Sequence, residues 1–233
     1  SAEDRPGTYI RLMDQNKVYL CERAPYIKAG ATDYMDQQLT QIERDAIVKV
    51  SVTGPDGTYH LTRNDEGKVT LDAVPEGKQP KSSELENVYT VLTGLRSADV
   101  TTDATGLTFD YTYFCRLSDS TEYTFKLARK DDKTYLTAGA AFTDTTPVTI
   151  TRDGSETEAE MKAKEAKLTA RDAAEKFNQR HKGWVYEIGS WQAGKMTKSL
   201  NDLVEDIPQP EETPAEDTDA PAAEPQPDAA EQT

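Results

Sequence analysis

The sequence predicts an α+β fold in which antiparallel β-meanders pack against helices. A first run of three short strands, separated by turn sequences, covers residues 47–73, and a second run covers residues 109–142. Between the two runs lies a segment whose apolar residues recur at helical spacing. Strands that follow one another directly indicate antiparallel sheets, whereas strands that alternate with helices would indicate a parallel α/β fold.

The chain begins with a predicted β-hairpin. Its strands are Tyr9–Met13 and Lys17–Glu22, and the residues between them, Asp14, Gln15 and Asn16, are types that turns favour. A short helix is expected after it, before the first meander.

The first meander consists of three strands and two turns. Residues 47–52 are rich in Val and Ile, and residues 58–63 alternate Tyr59 and Leu61 with polar residues. The turn sequences GPDG (54–57) and NDEG (64–67) carry the Gly, Pro, Asp and Asn residues of tight turns. Residues 68–73 form the third strand. This alternation is typical of an antiparallel sheet with one face in water.

A helix is predicted from Ser83 to Leu95. Ser83 and Glu86 have the spacing of a capping box, in which each side chain satisfies a backbone N–H of the other residue. The stretch Pro75–Lys81 is predicted to be a linker. The apolar residues of the helix form one stripe, which consists of Leu85, Val88, Tyr89, Leu92 and Leu95.

Tyrosines on the second meander are the candidate binding residues. Tyr111, Tyr113 and Tyr123 should lie on adjacent strands. They permit two interpretations: cross-strand packing beneath the Ser83–Leu95 helix, or an exposed interface, because tyrosines are common where an interface is partly wet. The three predicted strands are Phe109–Leu117, Glu122–Arg129 and Thr134–Phe142.

A long charged helix is predicted over residues 156–181. A second capping box at Ser155–Glu158 begins it, and Gly183 follows its end. Its apolar residues are sparse, so we expect it to lie on the surface or to protrude. Trp184–Ile188 is predicted to be a core strand, and Met196–Val204 a last short helix.

The beginning of the chain is echoed near its end. TYI (8–10) corresponds to TYL (134–136), and VYL (18–20) corresponds to VYEI (185–188). Repeated units usually cannot bury their apolar faces alone. We therefore expect residues 1–43 to be the end of a preceding repeat unit, and residues 44–205 to be an α+β unit into which the helix 156–181 is inserted.

Composition separates an acidic tail from the body. Asp206–Thr233 holds six prolines and nine carboxylates without a Lys or Arg, and such a segment cannot bury enough apolar surface to fold. The tail, residues 206–233, is predicted to be disordered. It supplies −9 of the net charge of −15, which leaves about −6 on the body. An acidic body argues against nucleic acid and anionic lipid as partners.

Neither a membrane span nor a catalytic pattern is visible. No run of ~18 apolar residues occurs, so we expect no direct membrane insertion by this sequence. Cys21 and Cys115 do not form a CxxC pair, and they are predicted to be separate thiols, with a disulfide as the alternative. His60 should lie on the polar side of a strand, and His181 at a helix C-terminus, where the helix dipole favours a cation. We predict no catalytic residue, no metal site and no cofactor.

Several stretches together carry a family resemblance. They are VYLCERAPYIKAGATDYMDQQLTQIERDAIVKVSV (18–52), PDGTYHLTRNDEGKVTLD (55–72), SSELENVYTVLTGLRSADV (82–100), YTYFCRL (111–117), YTFKLARKDDKTYL (123–136) and WVYEI (184–188). Over about residues 8–204 the chain resembles a bacterial family known as domain of unknown function 4340. It departs from the family at Lys68–Val69, where members often have a Trp, and in the helix 156–181, which looks like an insertion.

The resemblance implies a place in the cell envelope. The family is similar to auxiliary proteins that accompany ABC-type transporters, including those linked to gliding motility, which have an N-terminal membrane anchor and an extracytoplasmic body. We therefore expect a non-catalytic, extracytoplasmic (periplasmic or envelope) interaction or scaffold domain with a protein partner. The alternatives are a ligand-binding module or hydrolase whose site is not visible in the sequence, and a purely structural spacer.

Overall fold

The computed structural model describes residues 7–22, 31–149 and 157–208, and it confirms the α+β class. Asp206, the first residue of the predicted disordered tail, ends the strand Val204–Asp206 and pairs with Lys78, so the prediction is wrong for this residue. From residue 209 onward the predicted tail lies outside the described residues. Within them the α-helices are α1 (Ser82–Tyr89), α2 (Glu158–His181) and α3 (Ser190–Met196). The strands are β1 (Thr8–Arg11), β2 (Val18–Cys21), β3 (Ile47–Gly54), β4 (Gly57–Arg63), β5 (Val69–Leu71), β6 (Lys78–Pro80), β7 (Ser97–Thr101), β8 (Phe109–Leu117), β9 (Thr121–Lys130), β10 (Lys133–Phe142), β11 (Val185–Ile188) and β12 (Val204–Asp206). Short 3-10 helices are Ala31–Tyr34, Arg44–Ala46, Val91–Thr93 and Leu200–Leu203.

One antiparallel sheet contains both predicted meanders. Its eight strands follow the order β5-β4-β3-β8-β9-β10-β11-β7. The meanders β3–β5 and β8–β10 meet because β3 pairs with β8, which places Val50 opposite Cys115. The edge strand β7 was not predicted. Turn signals specify pairing between neighbouring strands only, so they did not reveal that the two meanders form a single sheet.

Helix α1 lies on the apolar face of this sheet, and two buried tyrosine hydroxyls hydrogen-bond between the helix and the sheet. The Tyr89 hydroxyl donates to the Ile47 carbonyl at 2.5 Å, and the Tyr113 hydroxyl donates to the Val88 carbonyl at 2.8 Å. Leu92, just beyond the helix, is fully buried. These contacts join the helix to β3 and β8, so the predicted apolar stripe is core.

The predicted helix Ser83–Leu95 is too long at its C-terminal end, and its capping box does not form. Regular α-helix ends at Tyr89, where the Thr90 hydroxyl donates back to the Glu86 carbonyl at 2.7 Å. The residue before the helix, Lys81, makes no side-chain cap. The Glu86 carboxylate instead accepts from Arg44 Nε at 2.6 Å, so a tertiary ion pair has replaced the local cap.

The predicted linker before α1 is the strand β6, which pairs with β12. The Lys81 amide extends this pairing by donating to the Leu203 carbonyl at 2.8 Å. The predicted last helix is likewise divided, because Met196 ends α3 and a 3-10 turn precedes β12. The small sheet β6–β12 holds the C-terminal end of the described chain beside the start of α1.

Helix α2 lies on the sheet through its C-terminal half. Its capping box is formed by Thr157 and Glu160, two residues later than predicted. The Phe177 ring meets the Phe125 ring edge-on at 6.5 Å between centroids. The Asn178 side chain binds both backbone groups of Ala140, accepting from its amide at 2.8 Å and donating to its carbonyl at 2.5 Å. The N-terminal half of α2 is mostly exposed.

Candidate interaction surface

The three predicted interface tyrosines do not form an exposed surface. Tyr113 is fully buried, so the interface prediction is wrong for this residue, because the helix α1 covers it. Tyr123 is half-buried and packs edge-on against Phe177, with ring centroids 5.0 Å apart. Tyr111 is half-buried beneath the Arg129 guanidinium, 4.9 Å from the ring centroid. Cross-strand packing is therefore the interpretation that fits their positions, but only Tyr113 bonds to the helix predicted to cover all three, whereas Tyr123 packs against α2.

Exposed apolar side chains are concentrated instead on the hairpin β1–β2. This hairpin is a separate two-stranded sheet, and each of its strands pairs only with the other among the described residues. An isolated hairpin is marginally stable in water and needs a third strand or a packed helix. Its exposed large apolar residues are Tyr9, Ile10, Leu12, Met13, Val18, Tyr19 and Leu20.

Such a cluster is unusual for a soluble domain. Single exposed apolar side chains are normal, but a contiguous group marks an interaction site. Unpaired strand edges add a second reason, because their free N–H and C=O groups are a template for another strand. The apolar residues of this hairpin were visible in the sequence as predicted strands, but the pattern could not show that nothing in the described chain covers them.

His181 occupies a structural position in the interior. Its Nδ1 lies 2.8 Å from the Tyr186 hydroxyl, and its ring stacks at a tilt on Phe177, 4.2 Å between centroids. Burial, followed by the charge of Arg180, lowers the pKa of His181 to about 4. The prediction that the helix dipole favours a cation here is therefore wrong, because desolvation of the ring outweighs the dipole.

The remaining predicted polar residues are also engaged. His60 Nδ1 lies 2.7 Å from the Ser51 hydroxyl on the face of the sheet that faces away from α1. Cys21 and Cys115 are both free thiols, as predicted. Cys115 is buried, and burial raises the pKa of its thiol to about 12. A thiol of this kind is inert, because the thiolate is the reactive form.

A small cleft contains one polar atom without a partner. The cleft has a volume of about 120 Å³ and lies between the β3–β4 turn and residues 198–200. Tyr59 and Tyr111 line it, and the buried Tyr59 hydroxyl has no hydrogen-bond partner among the described residues. Burial, together with the nearby Asp202, raises the pKa of Tyr59. The alternating sequence predicted that Tyr59 faces the core, but not that its hydroxyl is unpaired.

Two further features of the described ranges concern metals and membranes. Across residues 7–22, 31–149 and 157–208, no group of three or more His, Cys, Asp or Glu side chains could hold a metal ion. In the same ranges, no helix has the length and apolar character that crossing a membrane requires.

Comparison with known proteins supports the family resemblance over the first half of the described fold. A family model described as a domain of unknown function (DUF4340) matches residues 1–111, from the N-terminal hairpin into β8. A search of curated proteins and a search of solved structures each found no match. The matched region ends well before residue 204, the end of the resemblance that the sequence suggested. Over residues 1–111 this chain is therefore similar to the DUF4340 family.

Proposed function

We propose that this chain is a non-catalytic interaction or scaffold domain that binds a protein partner in a bacterial cell-envelope complex. The observation that carries the proposal is the exposed apolar hairpin β1–β2. Apolar side chains and free strand edges on one small element are the features by which proteins recognise one another through strand addition.

A non-catalytic role is supported by the partners of the reactive groups. The His181 ring is buried against Tyr186, and the Cys115 thiol is buried in the core. Both side chains are buried, so neither is exposed to a substrate in solution. The apolar hairpin, in contrast, has exposed surface without an internal role.

An extracytoplasmic location is proposed from the family resemblance. Proteins similar to the DUF4340 family accompany ABC-type transporters, with a body on the outer side of the membrane. We propose the same arrangement here, with an ABC-type transporter complex as the partner and with the membrane anchor in the full-length protein.

Co-purification from the source bacterium tests this function. The tagged natural protein is cross-linked in whole cells and purified, and ABC-type transporter subunits are quantified by mass spectrometry. We expect the double variant Ile10→Ser, Tyr19→Ser to lose the subunits by about tenfold or more, since hot-spot residues dominate interfaces. The matched control is Val48→Ser, an exposed apolar residue on β3. Equal recovery with the hairpin variant, or recovery without any transporter subunit, would contradict the proposal.

Location has a separate measurement. External protease added to spheroplasts should degrade the natural protein while it leaves a cytoplasmic marker intact. Degradation that occurs only after lysis would place the body in the cytoplasm and refute the envelope location.

A ligand-binding module is the second candidate, and the Tyr59 cleft favours it. A small molecule with one polar group would supply the hydrogen bond that the buried phenol lacks. Native mass spectrometry of protein purified from its bacterium tests this. An adduct that Tyr59→Phe loses and Tyr113→Phe retains would support binding in the cleft, and the absence of any adduct would count against it.

A further inference from the structure

We infer that the β1–β2 hairpin is a docking site for the complementary half of a second repeat unit, that is, for strands equivalent to β9 and β7. These strands would add to the two hairpin edges, which no other described strand covers, as β9 and β7 add to β10 and β11. The inference rests on the proposed function as an interaction domain, and it specifies what binds and in which register.

The two echoed hairpins have the same register. In β1–β2, Thr8 lies opposite Cys21 and Ile10 lies opposite Tyr19. In β10–β11, Thr134 lies opposite Ile188 and Leu136 lies opposite Tyr186. The sequence correspondence of TYI with TYL, and of VYL with VYEI, is therefore also a correspondence of paired positions. In both hairpins an aliphatic side chain therefore lies opposite a tyrosine.

In the part of the chain that the structure describes, neighbouring strands flank β10–β11 but not β1–β2. Leu136 is flanked by Leu127 of β9, and Tyr186 is flanked by Val100 of β7, so four side chains form one row across four strands. In this row Leu136 is 0% and Tyr186 7% exposed. The equivalent residues of the N-terminal hairpin, Ile10 and Tyr19, are 40% and 44% exposed. Helix α2, which lies on β10 and contacts Tyr186 through His181, contributes to this burial together with the flanking strands. Among the described residues, Ile10 and Tyr19 have no flanking strand beyond their own hairpin.

The residues in this row indicate which side chains the docking strands should carry. The strand on the β1 edge should run antiparallel and place an aliphatic side chain opposite Ile10, as Leu127 does opposite Leu136. The strand on the β2 edge should place a second aliphatic side chain opposite Tyr19, as Val100 does opposite Tyr186. Cross-strand pairs of this kind, together with the ladder hydrogen bonds, are what stabilise a sheet.

A second copy of this chain does not fit this register. The β9 and β7 strands of such a copy are already paired with its own β10 and β11. Its β1–β2 hairpin carries a tyrosine, not an aliphatic residue, at one of the two central positions. The complementary half of another repeat unit has both strands free to pair.

A grafted strand tests the inference in the full chain. Residues 1–6 are replaced by the sequence of residues 121–132, which is β9 with its native turn. Because Thr8 corresponds to Thr134, this graft places the copied Leu127 opposite Ile10. We expect hydrogen exchange of the Thr8–Arg11 amides to slow by about tenfold or more. The matched control is the same graft with Leu127→Lys in the grafted copy only, which puts a charge opposite Ile10.

The outcomes separate this inference from the proposed function. Protection by the graft, and its loss in the control, supports the register even if no transporter subunit is captured. Unchanged exchange in the hairpin, while amides of β3 and β8 remain protected, overturns the inference even if capture requires the hairpin. Equal protection by graft and control also overturns it. Sedimentation of the ungrafted chain as a dimer with a protected hairpin would show that a second copy is the occupant, and would overturn it as well.

Discussion

Lowering the pH from neutral should reduce the free energy of unfolding through one buried imidazole, that of His181. The residue is 3% exposed, and burial lowers its pKa from 6.5 to about 4. The unfolded chain therefore takes up a proton near pH 6.5, whereas the folded protein does so only near pH 4. Between these values the unfolded state binds more protons, so stability rises with pH across this interval.

The expected loss is ~3 kcal/mol, because a change of one in pKa is worth about 1.4 kcal/mol. This contribution is complete above pH 6.5 and is lost as the pH falls towards 4. Exposed carboxylates whose pKa is lowered by an ion pair titrate separately. The pKa of Asp144 is held at about 2, chiefly by Lys167, so its contribution disappears in more acidic solution. A loss of ~3 kcal/mol is a large part of the ~5–15 kcal/mol that stabilises a typical domain.

Urea unfolding at a series of pH values between about 7 and 4.5 measures this dependence. The chain has two histidines, which provides a matched pair of variants. His181→Gln should flatten the pH profile, since glutamine does not titrate, and His60→Gln measures how much of the profile changes when the other histidine is replaced. A steep profile that persists in His181→Gln, or a flat profile in the unmodified chain, would refute the assignment of a neutral buried imidazole.

Three further predictions concern packing and the tail. Tyr113→Phe should lower the free energy of unfolding in urea by ~1–2 kcal/mol, because it leaves the Val88 carbonyl without its donor. Tyr59→Phe should change this free energy by less than ~0.5 kcal/mol, because the Tyr59 hydroxyl has no partner to lose among the described residues. Equal changes in the two variants would contradict this. Phe177→Ala should cost about 2–3 kcal/mol, somewhat less than a fully buried Phe, and the exposed Met161→Ala on the same helix should be neutral. Deleting residues 209–233 should leave the thermal midpoint unchanged in calorimetry, because a segment of this composition cannot pack, and a lower midpoint would show that it does pack.

The local sequence pattern predicted the positions of most strands, but it did not predict which strands distant in sequence pair with one another. The bounds of β8 are those that alternation predicted, Phe109–Leu117. Strand β6 was missed because Lys78–Pro80 has no apolar alternation. Its strand character comes from pairing with β12, more than 120 residues away, and from the Lys78–Asp206 ion pair at 2.5 Å. Pro80 fits such a strand, because proline is tolerated at a sheet edge.

The errors at individual side chains have a common physical cause. Glu86 had the spacing of a cap, but Arg44 from a distant segment binds its carboxylate. His181 had the position of a helix-terminal cation, but Tyr186 of β11 and the sheet bury it. In each instance a tertiary neighbour outweighed a local preference of about 1 kcal/mol. Sequence spacing describes the local preference and carries no information on the neighbour.

The region that matches the family model ends earlier in the chain than the predicted repeat unit of residues 44–205. This difference concerns the strands that could cover the hairpin β1–β2. The matched region, residues 1–111, contains the hairpin β1–β2 and the strands β3–β7, but it stops before β9. The edge of β10 is covered by β9, the strand that follows this region in the chain. Among the described residues of the matched region, no strand covers the equivalent edge, on β1. A sheet edge with apolar neighbours is a template for pairing, so in the proposed docking a strand of another unit would cover β1. Ile10 and Tyr19, which are 40% and 44% exposed, would lose exposed apolar area when such a strand docks.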